Sequence, residues 1–555
     1  MVADLVIRGG TVVDGTGAPG YRADVAVRDG RIVEIGEGLA GTRVLEADGH
    51  VVAPGFIDIH THYDAQVFWD PALTPSSWHG VTSVVAGNCG FTIAPCRPEH
   101  RELIGRTLQH VEDMNLATLQ AGIPWDFETF PEYLDSVARH GSALNFGAYV
   151  GHTALRLFVM GDEGYEREAT EAELDAMAAV VREALLAGAV GFATTSAPTH
   201  NGEGGRPVPS RLADIHEMEA LVTPLRELGR GVGAFTPGER VKHPEVYALQ
   251  KRIGRPFTWT ALLTRRGTTF AQDMAAFTAV QQAEGAAVYP QVTCRPLTFQ
   301  MNLRDPFTFN TRPMWAALMD RPMEERLAAY RDPDWRRRAT EERAAGTFMP
   351  NWATMTVDDS SDPRVNGRSV AEIAAERGLA PLDAMLDVAL ADDLEPRFRD
   401  TIANDDETVI ADLLRQDGLV LGLSDAGAHV GQLCDACLPT DLLGNWVRER
   451  EVLTLERAVH KLTGEPAGIY GFAGRGVVAE GAHADLAVFD PATVAPGPVR
   501  RVQDFPADGA RLVADAPSGM RHVVVNGTPI RVDGTPDPDA LARKPGTVLR
   551  SGAPA

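Results

Sequence analysis

The chain has 555 residues, of which 44% are hydrophobic and 23% are charged. These proportions exclude a disordered or collagen-like chain. The formal net charge of −24 disfavours binding to nucleic acid or to an anionic membrane through bulk charge. The sequence contains no uninterrupted run of about 18 apolar residues, so it predicts no transmembrane helix. We therefore expect neither a nucleic-acid partner nor a membrane partner.

The expected compartment follows from the first residues and from the cysteines. The opening MVADLVIRGG lacks the basic and long apolar regions of a secretory signal. Five cysteines in 555 residues do not form a disulfide framework. We expect a cytoplasmic protein with reduced thiols, for which a homo-oligomer is compatible with the composition.

The sequence at both ends of the chain predicts short strands joined by turns. Gly9-Gly10, Asp29-Gly30 and Asn526-Gly527 separate alternating apolar runs, which is typical of β-hairpins. These features predict one small β-sandwich domain built from residues 1–53 and 476–555. The tail after about residue 535 is rich in Pro, Gly and Ala, and we expect it to be frayed.

The middle of the chain alternates short apolar runs with helical patterns. The clearest helix begins with a capping box at Thr170 and Glu173 and ends at Gly188. Eight strands alternating with helices predict the α/β class and a (β/α)8 TIM-like barrel over residues 54–475. A long interval, at about 296–418, is expected to be an insertion that contributes to the roof of a pocket. The predicted strands are residues 51–59, 81–86, 145–150, 190–195, 231–235, 257–262, 286–292 and 419–423.

The first barrel strand ends in a pair of histidines. In PGFIDIHTHYD, His60 and His62 are two residues apart, so an extended backbone points both imidazoles to the same face. Functional groups of such barrels lie at the carboxyl ends of the strands. Two neutral imidazoles there can bind one metal ion. The alternative is a pair of structural strand histidines.

Two further strand ends carry side chains suited to the same metal. Asp425 follows the eighth strand in LSDAGAH, where a carboxylate can bind a metal and take a proton from water. Cys89 follows the second strand in GNCG, and its thiolate is a soft metal ligand. The alternatives are a helix-capping aspartate and a small buried cysteine.

The stretch 54–95, PGFIDIHTHYDAQVFWDPALTPSSWHGVTSVVAGNCGFTIAP, resembles the amidohydrolase superfamily. More narrowly it resembles the N-acyl-D-amino-acid deacylases, or D-aminoacylases, through the GNCG that follows the His-x-His. Residues 4–15, GHTALR at 151–156, and 464–490 ending in ADLAVFD agree. The resemblance covers nearly the whole chain. It implies the same barrel and β-sandwich.

The resemblance also implies a zinc-activated water that attacks an amide carbonyl. By match, His60, His62 and Asp425 form one metal site, and Cys89 takes the place of the family's bridging cysteine. Many members of the superfamily use instead a carboxylated lysine on the fourth strand. Residues 190–195 contain no lysine, so Cys89 is the bridging candidate.

Two histidines that the deacylases carry are missing from this chain. The fifth strand ends AFTPGE at 234–239 and the sixth reads FTWTALLT at 257–264, with no histidine in either. We expect one zinc ion rather than two, held by His60, His62, Asp425 and Cys89. Two other interpretations stay open: a relocated site that uses His152, His200 or Glu239, and a pocket without metal.

Five other residues are candidates for contacts to a small-molecule substrate. His152 follows the third strand, and His200 lies in a polar Gly/Pro-rich loop after the fourth. Tyr289 matches a substrate-binding tyrosine of the family. Arg295 can pair with a substrate carboxylate through two hydrogen bonds. His429, four residues beyond Asp425, can contact the metal ligands or the substrate.

The leading hypothesis is a metal-dependent amidohydrolase that cleaves the amide of an N-acyl amino acid, expected to be of D configuration, with Asp425 as the catalytic base. One alternative is a cyclic amide or imide hydrolase, or a C–N bond-forming tailoring enzyme, of the same superfamily. A second is a degenerate relative that binds a small ligand without catalysis.

Overall fold

The computed structural model describes residues 2–202, 205–306, 308–309, 312–319, 321–342 and 350–550. In chain order the strands are β1 (Ala3–Val12), β2 (Tyr21–Arg28), β3 (Arg31–Gly36), β4 (Gly41–Glu46), β5 (Val51–Pro54), β6 (Phe56–Asp58), β7 (Val81–Ala86), β8 (Asn145–Gly151), β9 (Gly191–Thr195), β10 (Val232–Thr236), β11 (Phe257–Trp259), β12 (Val288–Val292), β13 (Leu297–Met301), β14 (Thr356–Val357), β15 (Phe398–Ala403), β16 (Val420–Leu421), β17 (Leu486–Phe489), β18 (Val499–Phe505), β19 (Gly509–Ala514), β20 (Met520–Val525), β21 (Thr528–Val532) and β22 (Thr535–Pro536).

The α-helices cover much of the remainder, and a π-helical segment, Leu442–Glu449, follows α15. They are α1 (Arg101–Glu112), α2 (Leu116–Gly122), α3 (Phe130–His140), α4 (His152–Met160), α5 (Glu171–Ala187), α6 (Ile215–Leu228), α7 (His243–Ile253), α8 (Phe270–Ala283), α9 (Pro313–Met319), α10 (Met323–Arg331), α11 (Pro333–Glu341), α12 (Val370–Arg377), α13 (Pro381–Ala391), α14 (Glu407–Arg415), α15 (Leu438–Asp441), α16 (Leu455–Leu462), α17 (Gly464–Tyr470) and α18 (Pro538–Arg543). Within the described ranges no helix is both long and apolar enough to cross a membrane.

The barrel sheet contains eight parallel strands whose order in space is their order in the chain. It runs β6-β7-β8-β9-β10-β11-β12-β16. Its two ends meet where Thr61 and Ala426 form a parallel bridge and the His62 amide donates to the Ala426 carbonyl at 2.7 Å. The predicted (β/α)8 barrel is confirmed, and its carboxyl ends bring the loops after β6 and β16 together.

The two chain ends share one nine-stranded sheet. Its order is β22-β21-β20-β17-β5-β1-β2-β3, with β4 paired to β1. The Asp29-Gly30 and Asn526-Gly527 hairpins are confirmed as the β2–β3 and β20–β21 turns. The predicted division at 53/54 falls one residue before the end of β5, and the division at 475/476 precedes β17. The domain boundaries stay a prediction.

Three local expectations at the two ends are wrong. Gly9-Gly10 is a bulge inside the continuous strand β1, not a hairpin turn, because both halves pair with β2. The run 51–59 is two strands: β5 pairs with β17 and β6 pairs with β7. The tail is not frayed before residue 550, because Val548 bridges Phe146 at the amino end of β8.

The insertion has its own core and lies beside the barrel mouth. Strands β13, β15 and β14 form an antiparallel sheet that packs with α9–α13 around Trp315, Tyr330 and Trp335. The first of these strands reaches the loop after β16, where the Gln300 amide donates to the Gln432 carbonyl at 2.7 Å. Helix α14 packs instead in the main barrel core, so the separate core ends before residue 407.

Candidate metal centre

The two histidines of the His-x-His pair lie just beyond the carboxyl end of β6. Both are buried, with 0% of His60 and 6% of His62 exposed, and their ring centroids are 5.4 Å apart. The Oδ1 atom of Asp425 lies 3.0 Å from Nε2 of His60 and 3.8 Å from Nε2 of His62. The structure therefore brings Asp425 against two histidines that lie more than 360 residues earlier in the chain.

A tight turn holds Asp425 against the histidines. Asp425 and Gly427 both have positive φ angles, of 45° and 87°. A Cβ atom on Gly427 would lie 2.8 Å from the His62 carbonyl oxygen. Glycine is therefore required at this close approach of the loop after β16 to the loop after β6.

Cys89 completes the cluster from the loop after β7. Its Sγ lies 3.8 Å from Nε2 of His60, and the Thr236 hydroxyl donates to it at 3.6 Å. The ligand atoms of His60, His62 and Cys89 all lie within 4.8 Å of one another. In the part of the chain that the structure describes, these three are the only group of three or more His, Cys, Asp or Glu residues that converge in this way.

The Nδ1 atom of each histidine faces a side chain that sequence reasoning missed. His60 Nδ1 lies 2.6 Å from Oε1 of Gln291, on β12, and His62 Nδ1 lies 2.9 Å from Oε1 of Glu112, the last residue of α1. Gln291 stands at a strand end, a position that signals function in a barrel. Glu112 lies on a helix, and nothing in its sequence context singles it out.

The charges of the cluster shift its pKa values together. Burial lowers the pKa of His60, but the Asp425 carboxylate and the Cys89 thiol outweigh it and raise that pKa to about 10. Burial opposes the ionisation of Asp425, yet His60 and His62 hold its pKa well below the usual range. Burial also raises the pKa of Cys89, and the same histidines lower it to about 7. An anionic oxygen and an easily ionised thiol thus face two imidazoles, and a divalent cation can replace their protons.

His200 and His429 lie at the edge of this cluster. The His200 ring contacts Phe91 edge-on at 5.1 Å, and its Nδ1 lies 2.7 Å from the Thr195 hydroxyl. His429 packs on Phe299 of the insertion at 5.3 Å. Burial lowers both pKa values, that of His200 to about 3, and the charges of Glu112 and His62 act on both. Their role as substrate contacts stays a prediction.

The side chains of the other three predicted substrate contacts interact with residues outside the metal-ligand cluster. His152 uses both ring nitrogens, with Thr194 at 2.8 Å and Glu217 at 2.9 Å. The Arg295 guanidinium pairs with Asp435 at 2.6 Å and Asp441 at 3.2 Å. Tyr289 lies two residues before Gln291 and packs with an apolar cluster that contains Tyr470 and Phe472. No contact in the described ranges places these three beside the metal ligands, and their assignment stays a prediction.

Threonines stand near the cluster on the fifth and sixth strands. Thr236 contacts Cys89, and the Thr260 hydroxyl lies 3.3 Å from His60 Nδ1. The relocated site has no support from Glu239, whose side chain is 69% exposed and faces Arg211. Neither His152, His200 nor Glu239 belongs to the convergent group found in the described residues.

The fold and the site define a parallel α/β barrel with a candidate metal centre at the carboxyl ends of its strands. A family model described as the amidohydrolase family matches residues 43–531. The chain therefore belongs to the amidohydrolase family.

Three known proteins illustrate this relationship. D-aminoacylase of Alcaligenes xylosoxydans xylosoxydans is 31% identical over 537 residues, or 95% of this chain and 94% of that protein. The N-acyl-D-glutamate deacylase of Bordetella bronchiseptica, solved with zinc and a phosphonate that mimics the tetrahedral intermediate, is 28% identical, with a TM-score of 0.68 over 99% of this chain and 100% of that one. A D-aminoacylase structure described for its binuclear metal centre is 27% identical, with the same TM-score and coverage. The sequence resemblance to the deacylases is confirmed.

Proposed function

We propose that this protein is a metal-dependent amidohydrolase that removes the acyl group from an N-acyl-D-amino acid. The observation that carries the proposal is the convergence of His60, His62, Cys89 and Asp425 at the carboxyl ends of three strands. Such a cluster of buried ionisable groups is costly unless it binds or reacts with a ligand. The similarity to D-aminoacylase and to the N-acyl-D-glutamate deacylase supports the substrate class.

The residues of the cluster fit one divalent cation, which we propose to be zinc. Gln291 and Glu112 occupy the Nδ1 sides of the two histidines, which leaves both Nε2 atoms facing Asp425. Two imidazole nitrogens, one thiolate and one carboxylate oxygen are all donors that zinc accepts, and zinc can expand its coordination to take a water as a fifth ligand. Since the fifth and sixth strands offer threonines beside the cluster, we propose one cation per chain.

The chain supplies the proton transfers of the proposed reaction. A cation at the cluster would polarise the amide carbonyl and acidify water. Asp425 is held ionised by His60 and His62. It accepts a proton from the attacking water while the water oxygen bonds to the carbonyl carbon. The C–N bond then breaks, and Asp425 returns the proton to the leaving nitrogen. The products are a carboxylic acid and a free amino acid.

Replacement of Asp425 tests this role. We expect Asp425→Asn to reduce kcat/KM for N-acyl-D-amino acids by roughly 100-fold or more, because the amide cannot accept the proton. Asp412→Asn, at a surface side chain that is 65% exposed, serves as the matched control and should keep full activity. Turnover by Asp425→Asn equal to that of the control would contradict the proposal.

A substrate panel separates the proposed reaction from its alternatives. The wild-type protein should hydrolyse N-acyl-D-amino acids faster than their L enantiomers and faster than cyclic imides. The threonines on β10 and near the end of β11 motivate the cyclic-substrate alternative, and a preference for cyclic imides would establish it. If the metal-loaded protein hydrolyses none of these substrates, the result would favour the alternative of a degenerate amidohydrolase that binds a ligand without catalysis.

A further inference from the structure

Glu112 is a buried carboxylate that the proposed reaction does not use. Only 2% of the residue is exposed, and its Oε1 lies 2.9 Å from Nδ1 of His62. The contact is short but is not aligned as a hydrogen bond, and neither atom has another hydrogen-bond partner among the described residues. Each of these two buried atoms therefore has the other as its close polar neighbour.

The position of Glu112 in its helix makes this contact unusual. Glu112 is the last residue of α1, and Asp113 follows it with a φ of 52°. The carboxyl end of a helix carries partial negative charge, so it disfavours a carboxylate. Asp425 adds a second negative charge to the same cluster. A buried glutamate at this point needs a positive or proton-donating partner, and His62 is the partner in contact with it.

The backbone of Glu112 also contacts the loop that carries Asp425. The Val430 amide donates to the Glu112 carbonyl oxygen at 3.0 Å, while the His62 amide donates to the Ala426 carbonyl at 2.7 Å. The end of α1 thus touches His62 through its side chain and the loop after β16 through its main chain. One residue outside the barrel strands thus links two of the three loops that form the candidate metal centre.

We propose that Glu112 is a positioning residue that holds His62 with its Nε2 atom toward Asp425 and thereby strengthens cation binding. The inference rests on the proposed function, because it requires a cation at the cluster. A carboxylate beside the outer nitrogen of a metal-binding histidine fixes the tautomer and the ring orientation and makes the inner nitrogen a better donor. Gln291 has the corresponding place at His60 with a neutral amide, so the carboxylate stands beside Nδ1 of His62 and not beside Nδ1 of His60.

The test is cation affinity, measured without substrate. Zinc binding to the full chain is followed by competition with a chromophoric chelator, and cobalt(II) absorption reports the ligand geometry. We expect Glu112→Ala to weaken zinc binding by roughly 10- to 100-fold and to change the cobalt bands. Asp113→Asn, a change at the next residue, where asparagine tolerates the positive φ, should leave both readouts unchanged.

If Glu112→Ala does not fold, Glu112→Gln tests whether the Glu112 carboxylate strengthens cation binding. The amide keeps an acceptor beside Nδ1 but loses the charge, so we expect a loss of affinity of about 10-fold, at the low end of the range known for such partners. A folded Glu112 variant that binds zinc as tightly as the wild type, with an unchanged cobalt spectrum, would overturn this inference alone. A wild-type chain that binds no cation would overturn the proposed function and this inference with it.

Discussion

At the scale of single residues, Cys89 is the member of the proposed centre that would set which kind of cation it prefers. It has a φ of 55° in the turn after β7, and its Sγ faces His60. The Asn88 side chain fixes this turn by donating to the carbonyls of Ile59, Thr61 and Val85. A rigid turn that presents a thiol with a pKa of about 7 is suited to a soft or borderline cation such as zinc.

Cys89→Ser tests whether the thiol is a ligand. Serine has nearly the same size but a harder and less acidic donor, so we expect zinc affinity to fall by about tenfold or more. The cobalt(II) form of the wild type should show a thiolate charge-transfer band that the variant loses. Cys96→Ser, at a buried cysteine outside the convergent group, is the matched control. A thiolate band that persists in Cys89→Ser would show that another cysteine binds the cation.

The residues of the centre differ in how far the sequence specifies them. His60, His62 and Asp425 could be predicted because each follows a recognisable strand, and strand ends converge in a parallel barrel. Glu112 could not, because its contact with His62 depends on how α1 packs across the mouth. Arg295 stands near a strand end like the others, yet Asp435 and Asp441 hold it, and these tertiary partners leave no local signal in the sequence.

At the scale of elements, a buried ion pair joins α4 to α6. The Arg156 guanidinium lies 2.6 Å from both carboxylate oxygens of Glu217, and His152 contacts the same carboxylate. Burial raises the pKa of Glu217, but His152 and Arg156 outweigh it and lower it to about 2. Each pKa unit corresponds to about 1.4 kcal/mol, so the ionised carboxylate stabilises the fold by roughly 3 kcal/mol above its unfolded pKa.

This ion pair predicts a stability that depends on pH. Because the pKa of Glu217 is lower in the folded chain, the stabilisation is present above the unfolded value near 4.5 and is lost as the pH falls toward 2. We expect Glu217→Gln to lower the Tm at pH 7, and the difference from the wild type to narrow between pH 5 and pH 2. Calorimetry at several pH values measures this difference.

A second glutamate on α6 provides the control for that experiment. Glu219 pairs with Arg252 at the surface, where the two side chains are 39% and 47% exposed, and such pairs contribute little. Glu219→Gln should therefore change the Tm only slightly at any pH. A difference in Tm between Glu217→Gln and the wild type that stays constant down to pH 2 would contradict the assigned ion pair.

The elements themselves could be predicted where one local signal decides them. Helix α5 begins at the Thr170 capping box and ends at Gly188 with a φ of 110°, as the sequence indicates. The two strands within residues 51–59 are harder to predict, because they belong to two different sheets. Hydrophobic period and composition do not show where the chain passes from one sheet to the other. Gly9-Gly10 similarly has the composition of a turn, but pairing with β2 on both sides makes it a bulge.

At the scale of the whole molecule, the carboxyl-terminal tail closes the amino end of the barrel. The Phe146 amide donates to the Thr547 carbonyl at 2.9 Å, and the Leu549 amide donates to the Phe146 carbonyl at 2.8 Å. Leu549 is 7% exposed and packs with Val190 and Tyr470. The last described residues thus cover the face of the barrel opposite the metal centre, which composition alone does not reveal.

Truncation of this leucine tests the contribution of the tail. We expect Leu549→Ala to destabilise the protein by about 2–5 kcal/mol, the range for buried leucines, and to lower the Tm. Leu186→Ala, at a side chain that is 60% exposed, should change stability by less than about 0.5 kcal/mol. Equal Tm values for the two variants would show that the tail contributes nothing to the barrel.

In the proposed function, one divalent cation held by His60, His62, Cys89 and Asp425 supports hydrolysis of an N-acyl-D-amino acid. The most direct measurement is metal content per chain by elemental analysis, on protein purified without chelator or metal-binding tag, together with turnover before and after chelation. We predict one zinc per chain, with activity lost on chelation and restored by zinc. A chain that binds no metal after supplementation, or turnover that survives complete removal of the metal, would contradict the account.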